Sequence, residues 1–263
     1  TGSIKLLSDA LENHGFFSFI NLGLSNVLII NCYNSSKEFF DLDFKTKEIY
    51  SSVGSKGARG YTPKGIETAV GEIIPDQKEF WHHGPVIDNT YDKKIPENID
   101  IKEIPEFNKN FDDLYSELHQ IGSRVLSVIS LSLGLKQDYF NQWVEKGNSL
   151  LRSIHYPKVE MKDNPHRARA HEDINLITLL IGAEEGGLEV LSKDGSWIKV
   201  APSSKAIVCN IGDMMQLVTD KKLKSTTHRV IQDEHAESKS RYSIPFFLHP
   251  APSVLLKSIF RDD

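Results

Sequence analysis

Three side chains in the C-terminal half of the chain have the residue types of a metal site. His171 and Asp173 stand two apart in ARAHEDINLITLL, and His228 follows in KSTTHRV. Residues i and i+2 of a strand share a face. On a strand the imidazole and the carboxylate therefore converge, while Glu172 turns away. Two imidazoles and one carboxylate on one face of an octahedron leave three positions open, which suits Fe(II) that must take both a co-substrate and dioxygen. The same ligand types also suit a three-ligand zinc centre of the hydrolase kind. A histidine on a strand is also commonly a hydrogen-bonded core residue. On the spacing alone these readings stay open.

Arg241-Tyr242-Ser243 repeats the alternation, with Arg241 and Ser243 on one face. A guanidinium fork beside a hydroxyl is a receptor for a carboxylate. An inward arginine in a β core is costly unless an anion meets it. An internal Asp or Glu would meet that need as well as a ligand.

These groups need a scaffold to hold them. Ile4, Leu7 and Leu11 recur at helical spacing, and Gly15 ends that helix before a buried strand at 16–20. A second helix is expected from Ser25, placed as an N-cap, to about Leu42. Residues 51–105 are rich in Gly, Pro and Asp and read as loops with short strands. Between Asn108 and Gly134, Phe111, Leu114, Leu118, Ile121, Val125 and Ile129 form one apolar stripe, with Gly134 as the stop. After Asn148 the pattern changes to short strands, expected at 151–156, 168–173, 175–181, 187–191, 198–200, 206–210, 225–230 and 241–248. Asp194-Gly195 marks a hairpin between two of them. So many short strands without long helices between them predict a mostly β core with α: a sandwich or jelly roll supported by N-terminal helices.

Composition sets limits on partners. Hydrophobic residues make up 39% and charged residues 25%, as in ordinary globular proteins. The net charge of −5 and scattered Lys and Arg argue against a nucleic-acid partner. No apolar run approaches a membrane span, and the first residues lack the layout of a signal peptide. Cys32 and Cys209 lie far apart in apolar stretches and read as buried free thiols of a reducing, cytoplasmic compartment. The opening Thr1-Gly2-Ser3 reads as a cut end or a short N-terminus. The chain is taken as a monomer or weak homodimer acting on a small molecule.

The stretches HEDINLITLL, GGLEVLSKDGSWIKVAP, VCNIGDMMQLVTDKKLKSTTHRV and RYSIPFFLHP, in this order, resemble the isopenicillin N synthase-like branch of the 2-oxoglutarate/Fe(II)-dependent dioxygenases. HGFFSFINLGL, RGYTP and PDQKEFWHHG extend the resemblance into the first half, the latter two toward bacterial members. The resemblance implies a double-stranded β-helix with His171, Asp173 and His228 as iron ligands. It implies that Arg241 and Ser243 hold the distal carboxylate of 2-oxoglutarate, assisted by Tyr156 in SIHYP. The reaction would consume O2, release succinate and CO2, and most commonly hydroxylate a small organic substrate. Two positions depart from the pattern: Ile154 stands where Asn is common, and Asn175 where Gly is common. Residues 1–263 are read as one oxygenase domain. Within it 1–148 is helical and loop-rich, 149–250 is the jelly-roll core with the metal site, and 251–263 is a tail.

Substrate contacts are expected from Arg59, Tyr61, Lys78, Trp81 and Phe247. Adjacent His82 and His83 face opposite ways on a strand and are not taken as ligands. For His155, His166, His235 and His249, surface or turn roles suffice. Two other readings stand beside the dioxygenase. One is an iron oxidase or cyclase of the isopenicillin N synthase type, which keeps the Arg-x-Ser pair without using 2-oxoglutarate. The other is a non-catalytic jelly-roll binding module.

Overall fold

Helix α1 (Gly2–His14) is closed by Gly15, in a left-handed conformation at φ 63°, before strand β1 (Phe16–Ile20). A side chain on Gly15 would lie 2.3 Å from the Lys224 carbonyl, so this close approach requires glycine. Helix α2 (Asn26–Asp41) starts at Ser25, whose hydroxyl accepts from the Leu28 amide at 3.3 Å. The short α3 (Phe44–Ile49) is followed by β2 (Gly60–Thr62) and β3 (Glu79–His83), which pair antiparallel within the region expected to be loops with short strands. Helix α4 (Phe107–Ser132) buries all six residues of its predicted stripe, and Gly134 follows at φ 77°. The four-residue α5 (Asn141–Val144) leads into the strand-rich half.

There the chain forms β4 (Leu150–Tyr156), β5 (His166–His171), β6 (Ile177–Ile181), β7 (Leu188–Leu191), β8 (Trp197–Lys199) and β9 (Ala206–Ile211). Helix α6 (Asp213–Val218) then precedes β10 (His228–Ile231), β11 (Arg241–Ser243) and β12 (Pro245–Leu248). This computed structural model describes residues 2–21, 23–51, 57–67, 76–158, 166–181, 186–201, 203, 206–231 and 240–260. Thr1 and His235 lie outside the described residues, as does the side chain of His166.

Two antiparallel sheets make up the double-stranded β-helix. The larger runs β1-β9-β6-β12-β4-β3-β2, with β11 also on β4, and the smaller runs β5-β10-β7-β8. One core fills the space between helices and larger sheet, joining Phe39, Phe107, Phe111 and Leu118 to Leu151, Leu179 and Phe246. A second, smaller cluster of Phe80, Ile154, Tyr156, Ala168, Leu188 and Val230 lies between the sheets. Strand β4 serves both sides: Leu151 and Ser153 are fully buried toward the helices, while alternate residues face the second sheet. Cys32 and Cys209 are buried free thiols. Among the described residues, no helix is long and apolar enough to cross a membrane.

Four local expectations need correction. The strand carrying His171 ends there, so Asp173 sits just beyond it in the following loop. Asn175 also belongs to this loop, and β6 starts only at Ile177. The strand expected at 241–248 is interrupted at Ile244, before Pro245, which has no amide hydrogen for the ladder. Its two pieces keep one register along β4, from Arg241 opposite Tyr156 to Phe247 opposite Leu150. Helix α6 went unpredicted because DMMQLV is too short to show a helical period. The Asp194-Gly195 hairpin forms as expected, with Leu191 opposite Trp197 and Gly195 at φ 85°.

Candidate metal centre

Strands β5 and β10 pair so that His171 and His228 are direct partners, with ring centroids 4.4 Å apart. The loop after β5 brings Asp173 Oδ1 to 4.0 Å from His171 Nε2 and 3.9 Å from His228 Nε2. These three ligand atoms lie within 4.8 Å of one another, a spacing that could accommodate one metal ion. Among the described residues this is the one such cluster.

The surroundings fix which atoms face that point. His171 Nδ1 bonds to the Arg169 carbonyl at 2.7 Å, and His228 Nδ1 to the Thr226 carbonyl at 3.2 Å. A carbonyl only accepts, so each Nδ1 carries the proton and each Nε2 presents a lone pair. Asp173 is divided in the same way. Its Oδ2 accepts from Thr178 Oγ1 at 2.6 Å and Asn210 Nδ2 at 2.7 Å, leaving Oδ1 toward the imidazoles. Thr178 and Asn210 are themselves opposite partners on β6 and β9.

Electrostatics favours metal-ready protonation states. Desolvation, then the neighbouring His228, pushes the His171 imidazole down to about 4. Burial alone would raise the Asp173 carboxyl, but His228, His171 and the two hydrogen bonds hold it below its ordinary value. A neutral imidazole and an ionised carboxylate are the forms that bind a cation.

The three residues stand in the wall of a cavity of about 490 Å³ between the sheets. Arg241, Ser243 and Tyr156 line it as well, with Arg241 only 2% exposed and its guanidinium carbon 5.3 Å from the Tyr156 ring centre. Arg241 Nε and Nη1 are buried without a hydrogen-bond partner among the described residues. No Asp or Glu among those residues answers them, so a buried cation is aimed at a space that an anion could fill. The chemistry of both halves therefore fits a divalent metal beside a carboxylate ligand.

Ile154, opposite Ser243, puts an apolar wall beside this end where an amide is common in the resembling family. Asn175 has a supporting role: its Nδ2 donates to the Ile177 carbonyl at 2.9 Å and to Thr178 Oγ1 at 3.0 Å. Gly212 packs so tightly on it that a Cβ would lie 2.1 Å from the Asn175 carbonyl oxygen.

The expected substrate residues divide. Lys78 and Phe247 line the cavity. Trp81 does not; it is fully buried among Phe39, Tyr50 and Phe107. Tyr61 donates its hydroxyl to Glu79 at 2.5 Å, away from the cavity. Arg59 is buried against the Ala58 carbonyl and the Asn148 side chain. All three were placed by residue type in a loop region, where sequence does not say which way a side chain points. His249 lines the cavity rather than a turn, and His155 bonds to Glu79 at 2.8 Å. Sequence reading missed Thr178, Asn210 and Arg152. The available signal for Asn210 was a lone amide inside the apolar run AIVCNI.

The model of the 2OG-Fe(II) oxygenase superfamily matches residues 147–250, and that of the non-haem dioxygenase in morphine synthesis N-terminal region matches 2–106. A 2-oxoglutarate-dependent dioxygenase of Didymella fabae is 31% identical over 91% of this chain and 76% of its own length. A crystal structure of a protein described as 2OG-Fe(II) oxygenase family, from Caulobacter crescentus, is 40% identical with TM-score 0.89, over 98% of this chain and 85% of that one. A full-length Neurospora crassa protein, crystallised in complex with alpha-KG and thymine, is 26% identical with TM-score 0.85, over 98% and 83%.

Proposed function

Within the 2OG-Fe(II) oxygenase superfamily, to which this chain belongs, we propose that His171, Asp173 and His228 are the iron ligands and that Arg241, Ser243 and Tyr156 receive 2-oxoglutarate. The enzyme is a 2-oxoglutarate/Fe(II)-dependent dioxygenase that oxidises a small organic substrate with release of succinate and CO2. Hydroxylation is the outcome we assign. The observation that carries the site assignment is the pairing of a three-ligand cluster with an unanswered buried guanidinium in one cavity.

Iron bound there supplies the redox chemistry that couples dioxygen to oxidative decarboxylation of 2-oxoglutarate and oxidation of the substrate. The chain does the rest. The Arg169 and Thr226 carbonyls hold both imidazoles with Nε2 toward the metal. Thr178 and Asn210 keep Asp173 on a single ligating oxygen. Arg241 neutralises the far carboxylate of the co-substrate. Phe16, Ile154, Leu188 and Val230 line the same space with apolar surface and keep bulk water from the reacting centre.

A core continuous from the helices into the larger sheet supports reading the whole chain as one oxygenase domain. Two buried free thiols support a reducing, cytoplasmic setting, and the chain is taken as a monomer or weak homodimer. The test is an anaerobic titration of metal-free protein with Fe(II) and then 2-oxoglutarate, followed by visible absorption. A weak charge-transfer band that needs both is expected. Full oxygen consumption without 2-oxoglutarate would refute the assignment.

A further inference from the structure

The cavity extends well past its co-substrate end. Its wall follows β4, where Tyr156, Ile154, Arg152 and Leu150 alternate inward. Tyr156 is opposite Arg241, and Leu150 is opposite Phe247. Tyr156 and Arg152 are four steps apart on the strand, so their backbone positions are roughly 13 Å apart at about 3.3 Å per residue. A five-carbon diacid spans only about 5 Å between its terminal carbons, given C–C bonds of about 1.5 Å. Arg241 and Arg152 stand at different levels of the β4 wall.

Two cations near this end, Lys78 and Arg152, share two carboxylates, with Glu67 paired to both. Lys78 is bound by Glu67 at 2.6 Å and by Asp76 at 2.9 Å. Arg152 is held on three sides and open on the fourth. Its Nε donates to His82 Nε2 at 2.6 Å, and its Nη1 meets Glu67 at 3.3 Å. Its guanidinium carbon lies 4.3 Å from the Phe80 ring centre and 5.4 Å from that of Phe247. His82 Nδ1 bonds to the Gly57 carbonyl at 2.7 Å, which makes Nε2 the acceptor. Burial and the Arg152 charge keep that imidazole neutral, pushed down to about 3. The guanidinium is thus fixed in place, and Nη2 has no partner among the described residues. The same cavity is lined by the apolar Leu150, Phe247, Phe16 and Ile174 and by the polar Glu67, Asp76, Lys78 and His249.

We propose that Arg152 anchors the primary substrate, and that this substrate is a small organic acid. Its carboxylate docks on Nη2 while its apolar body lies along Leu150 and Phe247 toward the metal centre. The inference rests on assigning the Arg241 end to 2-oxoglutarate.

The test is calorimetric titration, without oxygen, of protein loaded with Fe(II) and 2-oxoglutarate. The probes are two matched pairs, 3-phenylpropionate with its amide and octanoate with its amide. At least one acid is expected to bind about tenfold or more tightly than its amide, the scale of a charge-assisted hydrogen bond. Arg152→Met should erase that preference and Arg152→Lys should retain part of it. The affinity for 2-oxoglutarate, measured in each variant, reports an intact pocket. Absence of binding by either acid, equal binding of acid and amide, or a preference surviving in Arg152→Met would each overturn the inference. Failure of the wild-type protein to bind 2-oxoglutarate would instead overturn the assignment beneath it, and this inference with it.

Discussion

Thr178 on β6 and Asn210 on β9 are direct cross-strand partners, and both donate to the same oxygen of Asp173. One carboxylate oxygen is thereby committed to the protein, and the other is left for a metal.

This division can be tested by removing one donor. Thr178→Val keeps the side chain's shape and deletes its hydroxyl. Loss of an outer contact of this kind typically weakens metal binding about 10- to 100-fold. Fe(II) affinity, measured anaerobically, should fall within that range while the circular dichroism spectrum stays unchanged. An unaltered affinity would mean that Asn210 alone suffices.

Asp173→Ala removes the carboxylate of the proposed iron site. Iron-dependent succinate release should be abolished with the fold intact, and added Fe(II) should no longer raise the melting temperature. Wild-type protein should respond reversibly, losing its metal-linked thermal shift in chelator and regaining it on adding iron.

At the other end of the co-substrate, Arg241→Met should act mainly on 2-oxoglutarate. Truncating one partner of a buried charge pair costs about 2–5 kcal/mol. The KM for 2-oxoglutarate should therefore rise about 30-fold or more, with a smaller change in kcat at saturation. A lowered kcat with unchanged KM would place Arg241 outside the co-substrate site.

Much of this centre was legible in the sequence because strand alternation is a strict rule. His228 and the Arg241–Ser243 pair lie on strands and point as alternation predicts. Asp173 joins the two imidazoles for a different reason, since the strand ends at His171 and the loop, anchored by the Asp213 amide on the Asp173 carbonyl at 2.7 Å, turns the carboxylate toward them. Arg59, Tyr61 and Trp81 do not line the cavity, because composition alone does not reveal which way a side chain in this irregular region points. Thr178, Asn210 and Arg152 were missed because their significance lies in what they face. The partners of Asn210 and Arg152 are distant in the chain, and Thr178 meets Asp173 only through the turn of the intervening loop.

A fourth prediction concerns stability behind the site. Glu79 is 2% exposed and accepts from Lys47 at 2.9 Å, Tyr61 at 2.5 Å and His155 at 2.8 Å. Burial alone would raise its carboxyl, but these bonds, His155 first, bring it down to about 2 from an ordinary 4.5. Because the folded value is the lower one, this contribution is present above about pH 4.5 and is lost as pH falls toward 2. Glu79→Gln should lack that component of the acid transition. At neutral pH it should lose about 3–5 kcal/mol in urea unfolding, since Lys47 is left buried without its counter-charge.

The constant register of β11 and β12 along β4 has a consequence for how the protein matures. Arg241, Ser243, Tyr156, Ile154 and Arg152 all reach the cavity only because two segments far apart in the chain meet in one alignment. A slip of one residue would turn each slipped side chain to the opposite face at once. Binding competence is therefore a proofreading signal for assembly. A chain that can grip its diacid has, by that act, completed this long-range pairing correctly, and the ligand's binding energy favours the aligned chains over the misaligned ones.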